Sequence, residues 1–397
     1  MVQRTQYFEK LKKLRDRQII KVITGVRRCG KSTLLRQFQN HLVESGVAPE
    51  RIISINFEDI ASEPLLDYKS LHAYVLERLS PGEMNYVFLD EVQHVPQFQK
   101  AVASLFIREN VDVYITGSNA YLLSGELATL LSGRYIEIGM LPLSFAEYFE
   151  LIGGERRDAW NAYFRYGGFP YLASVDDDEI RRDYLSGIYH TVLLKDVVAR
   201  NRIADVPLLE SVIRFLFDNV GNTVSANKIA DSLTSYGRKT TSITVDNYIG
   251  ALMESFILYK AARYDVKGKQ HLKSLEKYYL VDVGLRRLLL GDSISDVGRM
   301  LENIVYLELI RRGYGVTIGK VDDREIDFIA AAGSDRAYYQ VAASILDPAT
   351  FAREIAPLKS VNDHYPKFIL SMDEMHMEEE GIRQVNLLDF LLGAWGT

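Results

Sequence analysis

Two short stretches carry residue types whose spacing could do chemistry together. The first is GVRRCGKS, Gly25 to Ser32. Gly25 and Gly30 allow the backbone to turn so that its N–H groups point inward around phosphate oxygens. Val26, Arg27, Arg28 and Cys29 fill the loop between them, with Cys29 read as a small loop residue. Lys31 can reach the β- and γ-phosphates of a nucleotide. The Ser32 hydroxyl can ligate Mg²⁺, and Thr33 follows it at the start of a helix. The second stretch is YVFLDE, Tyr86 to Glu91. Asp90, at the end of an apolar strand, can hold the same Mg²⁺ through water. Glu91, beside it, can polarise an attacking water, which points to ATP hydrolysis rather than transfer to a substrate hydroxyl.

These residues need particular elements to bring them together. Ile19 to Thr24 reads as a buried strand, and Leu34, Leu35, Phe38 and Leu42 mark one face of the helix after the loop. Further strands are expected at Ile52 to Phe57 and at Tyr86 to Glu91. A fourth, VDVYITGSNA, ends in Thr116, Ser118 and Asn119. Of these, Ser118 and Asn119 have the better reach toward a γ-phosphate or its water, with loop hydrogen bonding as the plain alternative. A helix, YLLSGELATLLS, then leads to Gly133-Arg134 and a fifth strand, Tyr135 to Ile138. Arg134 would either cap that helix or reach a γ-phosphate bound to a neighbouring subunit. The second role requires an oligomer.

By this point the chain resembles the AAA+-type P-loop ATPases. More narrowly, it looks like a bacterial and archaeal family in which such a core precedes a C-terminal domain of unknown function. The matching stretches include ITGVRRCGKSTLL, INFED, FLDEVQ, ITGSNAYLLSGELATLLSGRY, LPLSFAEYF, YGGFPYL, LLKDVVARNRI and KYYLVDVGLR. The resemblance implies ATP and Mg²⁺ as cofactors. It also implies an α/β fold: a P-loop core with a parallel sheet over residues 1–143, then a helical lid over 144–204. GGFP also resembles the G-x-P element of signal-transducing switch ATPases, which would set Pro170 against the nucleotide. Read from the residues alone, Pro170 marks a helix break.

Val206 to Tyr264 reads as helices, a turn and a strand, and residues 205–292 form a winged helix-turn-helix pattern. Ser225 is the expected N-cap of one helix, and Ile243, Tyr248, Ile249, Leu252 and Phe256 are the expected inward face of the next. In a DNA-binding reading, Arg238, Lys239, Thr240, Thr241 and Thr244 meet phosphates or bases, with Lys260, Arg263, Lys267 and Lys269 on the wing. In the other reading the module packs against protein.

Residues 293–397 resemble a restriction-endonuclease-like domain. Glu302 lies on a helix, Asp327 and Gln340 on successive strands, and Ala342 stands where active members carry Lys. Without that ammonium the site reads as degenerate. Lys359 is a substitute only if the fold brings it near.

Composition bounds the rest. The chain has 397 residues, a net charge of −6 and one cysteine. That charge excludes a strongly basic nucleic-acid binder but not a local basic patch, and the uneven Lys/Arg and Asp/Glu stretches read as solvated faces. One cysteine fits a reducing cytoplasm, and neither a secretory leader nor an apolar run able to span a bilayer is visible. The expectation is an Mg²⁺-dependent ATPase acting on DNA, branched or forked forms included, as a homo-oligomeric ring, a hexamer among the forms open to it. The alternatives are a nucleotide-controlled switch that gates partner assembly and an ATP-regulated nuclease.

Overall fold

The computed structural model describes residues 2–120, 131–268, 270–291 and 296–394. Two expected features lie outside them: the body of the helix YLLSGELATLLS, and Lys269. The chain divides into two compact units. One comprises Met1–Pro142 with Glu254–Phe256, the other Leu143–Met253 with Ile257–Thr397.

In the first unit β1 (Ile20–Thr24) is buried along its whole length, as its β-branched residues allow. It pairs in parallel with β4 (Val111–Gly117) on one side and β5 (Tyr135–Gly139) on the other. β3 (Asn85–Asp90) pairs with β4, and β2 (Ile52–Asn56) with β3. The order is therefore β2-β3-β4-β1-β5, all strands parallel, which is the α/β sheet expected of a P-loop core. Helices α1 (Thr5–Leu14), α2 (Lys31–Glu44), α3 (Tyr68–Leu76) and α4 (Phe98–Phe106) flank it, so the strands read as continuous apolar runs. Val22, Val87, Leu89, Val113 and Ile115 meet Leu71, Val102 and Leu105 in one core.

A charged pair sets the seam between β1 and β4. Lys21 and Asp112 are both buried and bond directly. Asp112 also accepts from the Tyr114 hydroxyl (2.9 Å) and the Asp16 amide (3.0 Å). The basic N-terminal stretch is thus not simply a solvated face: Arg4, Lys21 and Lys31 are all buried.

The second unit begins with a capping box, in which Ser144 and Glu147 close the first turn of helix Phe145–Ile152. Phe145 packs on Trp160 (5.2 Å between ring centroids) and Tyr148 on Tyr163 (5.4 Å), so the aromatic stripe is core. Helix Val206–Asp218, β6 (Thr223–Val224), helices Ala226–Ser235 and Ser242–Glu254, and the hairpin β7 (Leu258–Asp265) and β8 (Gln270–Leu280) then follow in order. Ser225 caps as expected, accepting from the Lys228 amide (3.2 Å). The inward face of helix Ser242–Glu254 differs from expectation. Val245, Tyr248, Ile249 and Leu252 are buried, whereas Ile243 is 72% exposed, because at about 3.6 residues per turn it falls on the opposite side of the helix from them.

After helix Val297–Arg311 come β9 (Gly315–Val321), β10 (Arg324–Ala332), β11 (Asp335–Val341), β12 (Lys367–Ser371), β13 (Glu378–Glu379) and β14 (Ile382–Asn386). Sequence suggested a boundary at residues 292/293. The sheet runs across it: β7 pairs in parallel with β9, Arg263 opposite Ile318, giving one nine-stranded sheet ordered β13-β14-β12-β11-β10-β9-β7-β8-β6. No helix of the described residues is long and apolar enough to cross a membrane.

The β1–β4 seam makes a test of the core. Asp112→Ala strands the Lys21 ammonium, and we expect a loss of about 3–5 kcal/mol in urea unfolding. Lys21→Met combined with Asp112→Leu should recover most of it.

Candidate functional site

The glycine loop leaves β1 at Thr24 and enters α2 at Lys31. Gly25 has φ +147°, and a Cβ there would come within 2.1 Å of the Met140 carbonyl oxygen, so the close approach of the chain leaving β5 demands glycine. Gly30, at φ 106°, turns the chain into the helix. Arg28 takes a left-handed φ of 65° between them and is exposed. Arg27 pairs with Glu58 (3.6 Å), and Val26 and Cys29 are buried. Burial raises the Cys29 thiol above its usual range, so it is a poor nucleophile. Arg4 ties the loop from behind. Its guanidinium donates to the carbonyls of Cys29 (3.0 Å), Leu141 (2.8 Å) and Pro142 (3.3 Å).

Lys31 is buried, and its ammonium donates to the carbonyls of Gly25 (3.1 Å) and Val26 (3.3 Å). It also lies 3.3 Å from the Glu91 carboxylate. Ser32 is half-buried at the helix start, and Thr33 is exposed beside it. Asp90 ends β3. The Thr116 hydroxyl, at the tip of β4, donates to Asp90 Oδ1 (2.5 Å) and accepts from the Glu91 amide (2.8 Å). Burial works to raise the Glu91 carboxyl, but Lys31, Gln93 and Ser118 outweigh it and hold it below the usual carboxylate range. Glu91 sits at a left-handed φ of 54°. Ser118 and Asn119 are buried, Thr116 bonds the acidic pair, and Ser118 lies beside Gln93. Loop, acids and strand tip therefore meet at one edge of the sheet.

Arg134 does not join them. It precedes β5, whose first residue, Tyr135, lies opposite Ile20, while the loop leaves from the other end of β1. The guanidinium is exposed, 5.8 Å above the Phe106 ring. Pro170 opens a short 3₁₀ turn, Pro170–Ser174, as the expected helix break, and the Gly168 amide before it donates to buried Asp282 (2.6 Å).

Residues 17–149 match the family described as AAA domain, and residues 157–296 match a domain of unknown function. An uncharacterized protein of Haemophilus influenzae is 40% identical over 399 residues, covering 99% of each chain. The chain belongs to one family with that protein, and its residues 17–149 are an AAA domain. The uncharacterized protein MJ1544 of Methanocaldococcus jannaschii is 29% identical over 394 residues, 93% of this chain and 85% of its own. A Walker-type ATPase of Pyrococcus abyssi superposes with a TM-score of 0.50 at 16% identity, over 73% of this chain and 96% of its own. At that identity the likeness is one of fold.

Two other candidate regions of this AAA-domain protein lie in its second unit. Arg238, Lys239 and Thr241 are exposed ahead of helix Ser242–Glu254, with Thr240 half-buried. The Thr241 hydroxyl accepts from the Thr244 amide (3.2 Å), so it caps the helix. Lys267 is already paired with Asp322 (2.6 Å).

Glu302, Asp327 and Gln340 do converge, on a cavity of about 760 Å³ that Arg299, Arg324 and Glu354 also line. Asp327 accepts from the Val341 amide (2.8 Å), and Gln340 bridges the Asp327 amide (3.2 Å) and Glu354 (3.0 Å). Ala342 packs into an apolar cluster with Ile345 and Ile355. Lys359 is engaged elsewhere, with Glu379 and Glu380 (2.8 Å).

The cation that sequence reading missed is Lys277, from β8. Its ammonium is buried 3.0 Å from Glu302 and 2.7 Å from Glu325. Burial works to lower its pKa, but Glu302, Asp327 and Glu325 outweigh that and raise it. Asp327 is pushed well above its usual range by burial and then by the Glu302 charge. Among the described residues no group of three or more His, Cys, Asp or Glu is placed to hold a metal ion.

A double-mutant cycle tests this pairing. Lys277→Met and Glu302→Gln should each destabilise the fold, and the double variant should lose less than their sum, with a coupling of about 1–3 kcal/mol in chemical denaturation.

Proposed function

We propose that this protein binds ATP with Mg²⁺ and hydrolyses it. The observation that carries the reading is the buried ammonium of Lys31, held by two loop carbonyls and Glu91, at the edge where Thr116 fixes Asp90. A γ-phosphate is a stronger partner for that ammonium than neutral carbonyls are. Ser32 and Asp90 supply oxygen donors, as a hard cation requires, and they would hold Mg²⁺. When bound, the ion neutralises charge on the β- and γ-phosphates. The amides of Val26 to Gly30 surround the phosphates, Lys31 draws the γ-phosphate in, and Glu91, released by Lys31, takes the proton of the attacking water.

Glu91→Gln should lower steady-state ATP turnover about 10²–10⁴-fold while leaving nucleotide affinity near wild type. Lys31→Ala should lose affinity as well. Equal affinity and turnover in all three proteins would sink the reading.

We further propose that the active form is a homo-oligomeric ring, for which a hexamer is the natural arrangement, with Arg134 serving a neighbour's site. Its support is that Arg134 is exposed at the sheet end opposite its own loop. Mixing Arg134→Ala with Glu91→Gln subunits should then restore part of the turnover that each lacks alone. Failure of every mixture to recover activity would assign Arg134 to a surface role.

For the second unit we read residues 205–291 as a winged helix whose exposed Arg238 and Lys239 meet DNA phosphates, so that turnover remodels DNA. A nucleotide-controlled switch is the second reading. The Lys31–Glu91 pair favours it, because turnover must wait until nucleotide breaks that contact. A motor accelerates on branched or forked DNA and a switch does not. We assign no strand cleavage to the C-terminal cavity, since the Lys277 ammonium already lies among its carboxylates.

A further inference from the structure

Gln93 lies two residues beyond Glu91, in the short 3₁₀ turn Val92–His94. Its side-chain amide donates to Glu91 Oε2 (2.5 Å) and reaches Ser118 Oγ at 3.4 Å. A carboxylate only accepts, so chemistry fixes which end of the amide faces it: the nitrogen. The other end, Gln93 Oε1, is buried with no hydrogen-bond partner among the described residues. A buried acceptor left unsatisfied is costly, and a water is the ordinary remedy.

Glu91 is held from three directions. Thr116 accepts from its amide, Lys31 pairs with one carboxylate oxygen, and Gln93 bonds the other. In the proposed reaction Lys31 turns to the phosphates, while Gln93 and Ser118 stay as side-chain partners of Glu91. Its orphaned oxygen then lies beside the base.

We propose that Gln93 and Glu91 together hold the attacking water, an inference that rests on the ATP-hydrolysis reading. The water donates one hydrogen bond to Glu91 and the other to Gln93 Oε1, which leaves an oxygen lone pair for the γ-phosphorus. As the new phosphorus–oxygen bond forms, the bond to the bridging oxygen breaks and its electron pair leaves on ADP. The water's proton passes to Glu91. Gln93 neither gains nor loses a proton; it fixes the direction of attack and keeps the carboxylate turned inward.

The test compares wild type, Gln93→Leu, Gln93→Asn, Glu91→Gln and the Glu91→Gln/Gln93→Leu double variant of the full chain. Three readouts are taken: ATP turnover, affinity for a fluorescent ATP analogue, and thermal unfolding. Gln93→Leu should lower kcat about 10- to 100-fold, the worth of a hydrogen bond to a charged group. Affinity should stay within about twofold and the unfolding midpoint should not fall. Gln93→Asn keeps the amide one methylene short and should lie between leucine and wild type; it also serves if the leucine variant fails to fold. On the Glu91→Gln background the leucine change should cost little more, as for residues that act as a unit. Wild-type kcat in Gln93→Leu, beside a dead Glu91→Gln, overturns this inference and leaves the hydrolysis reading standing. A wild-type protein that binds nucleotide yet never turns it over overturns both.

Discussion

A buried ammonium against a buried carboxylate governs the first unit. Lys31 and Glu91 come from elements that do not pair: the loop after β1 and the tip of β3. β4 lies between those strands, and its last residues bridge the gap, with Thr116 bonded to both acids' segment. Parallel pairing sends all these strand ends to one edge, so the strand order, more than any single contact, makes the site possible. The Lys21–Asp112 pair at the opposite end of the seam keeps β1 and β4 in that register.

The second unit solves a similar problem with a different cation. Glu302, Glu325 and Asp327 crowd one cavity, and like charges so placed cannot all remain ionised without a counter-ion. Lys277 provides one from another part of the chain. A position that reads as degenerate at Ala342 is thus chemically compensated, but by a group that neutralises the carboxylates instead of standing apart from them.

The legible parts of this protein were those in which function needs residues close in sequence. The glycine loop, the acids closing β3 and the five strands could be read because each depends on local spacing and local hydrophobic pattern. Lys277 could not, because it lies 25 residues from Glu302 and past the stretch that reads as strand and wing. Arg4 looked like part of a solvated basic stretch, since nothing in composition marks a buried guanidinium that bonds three carbonyls. Gln93 was visible as a letter in FLDEVQ but not as a partner of Glu91. That contact exists because Glu91 adopts a left-handed backbone, which residue type alone does not announce for glutamate. Ile243 misled because it is apolar: its spacing from Tyr248, Ile249 and Leu252 sets it on the far side of the helix.

The shared sheet changes what counts as a separable piece of this chain. β7 has β8 on one side and β9 on the other, and Lys277 faces acids contributed by the strands and helix beyond residue 292. Cutting after Gly291 would leave β7 with a bare hydrogen-bonding edge and Lys277 as an unmatched positive charge in an apolar setting. The basic turn at Arg238 and the cavity at Asp327 are therefore inherited together. A fragment that keeps one without the other breaks the sheet between β7 and β9.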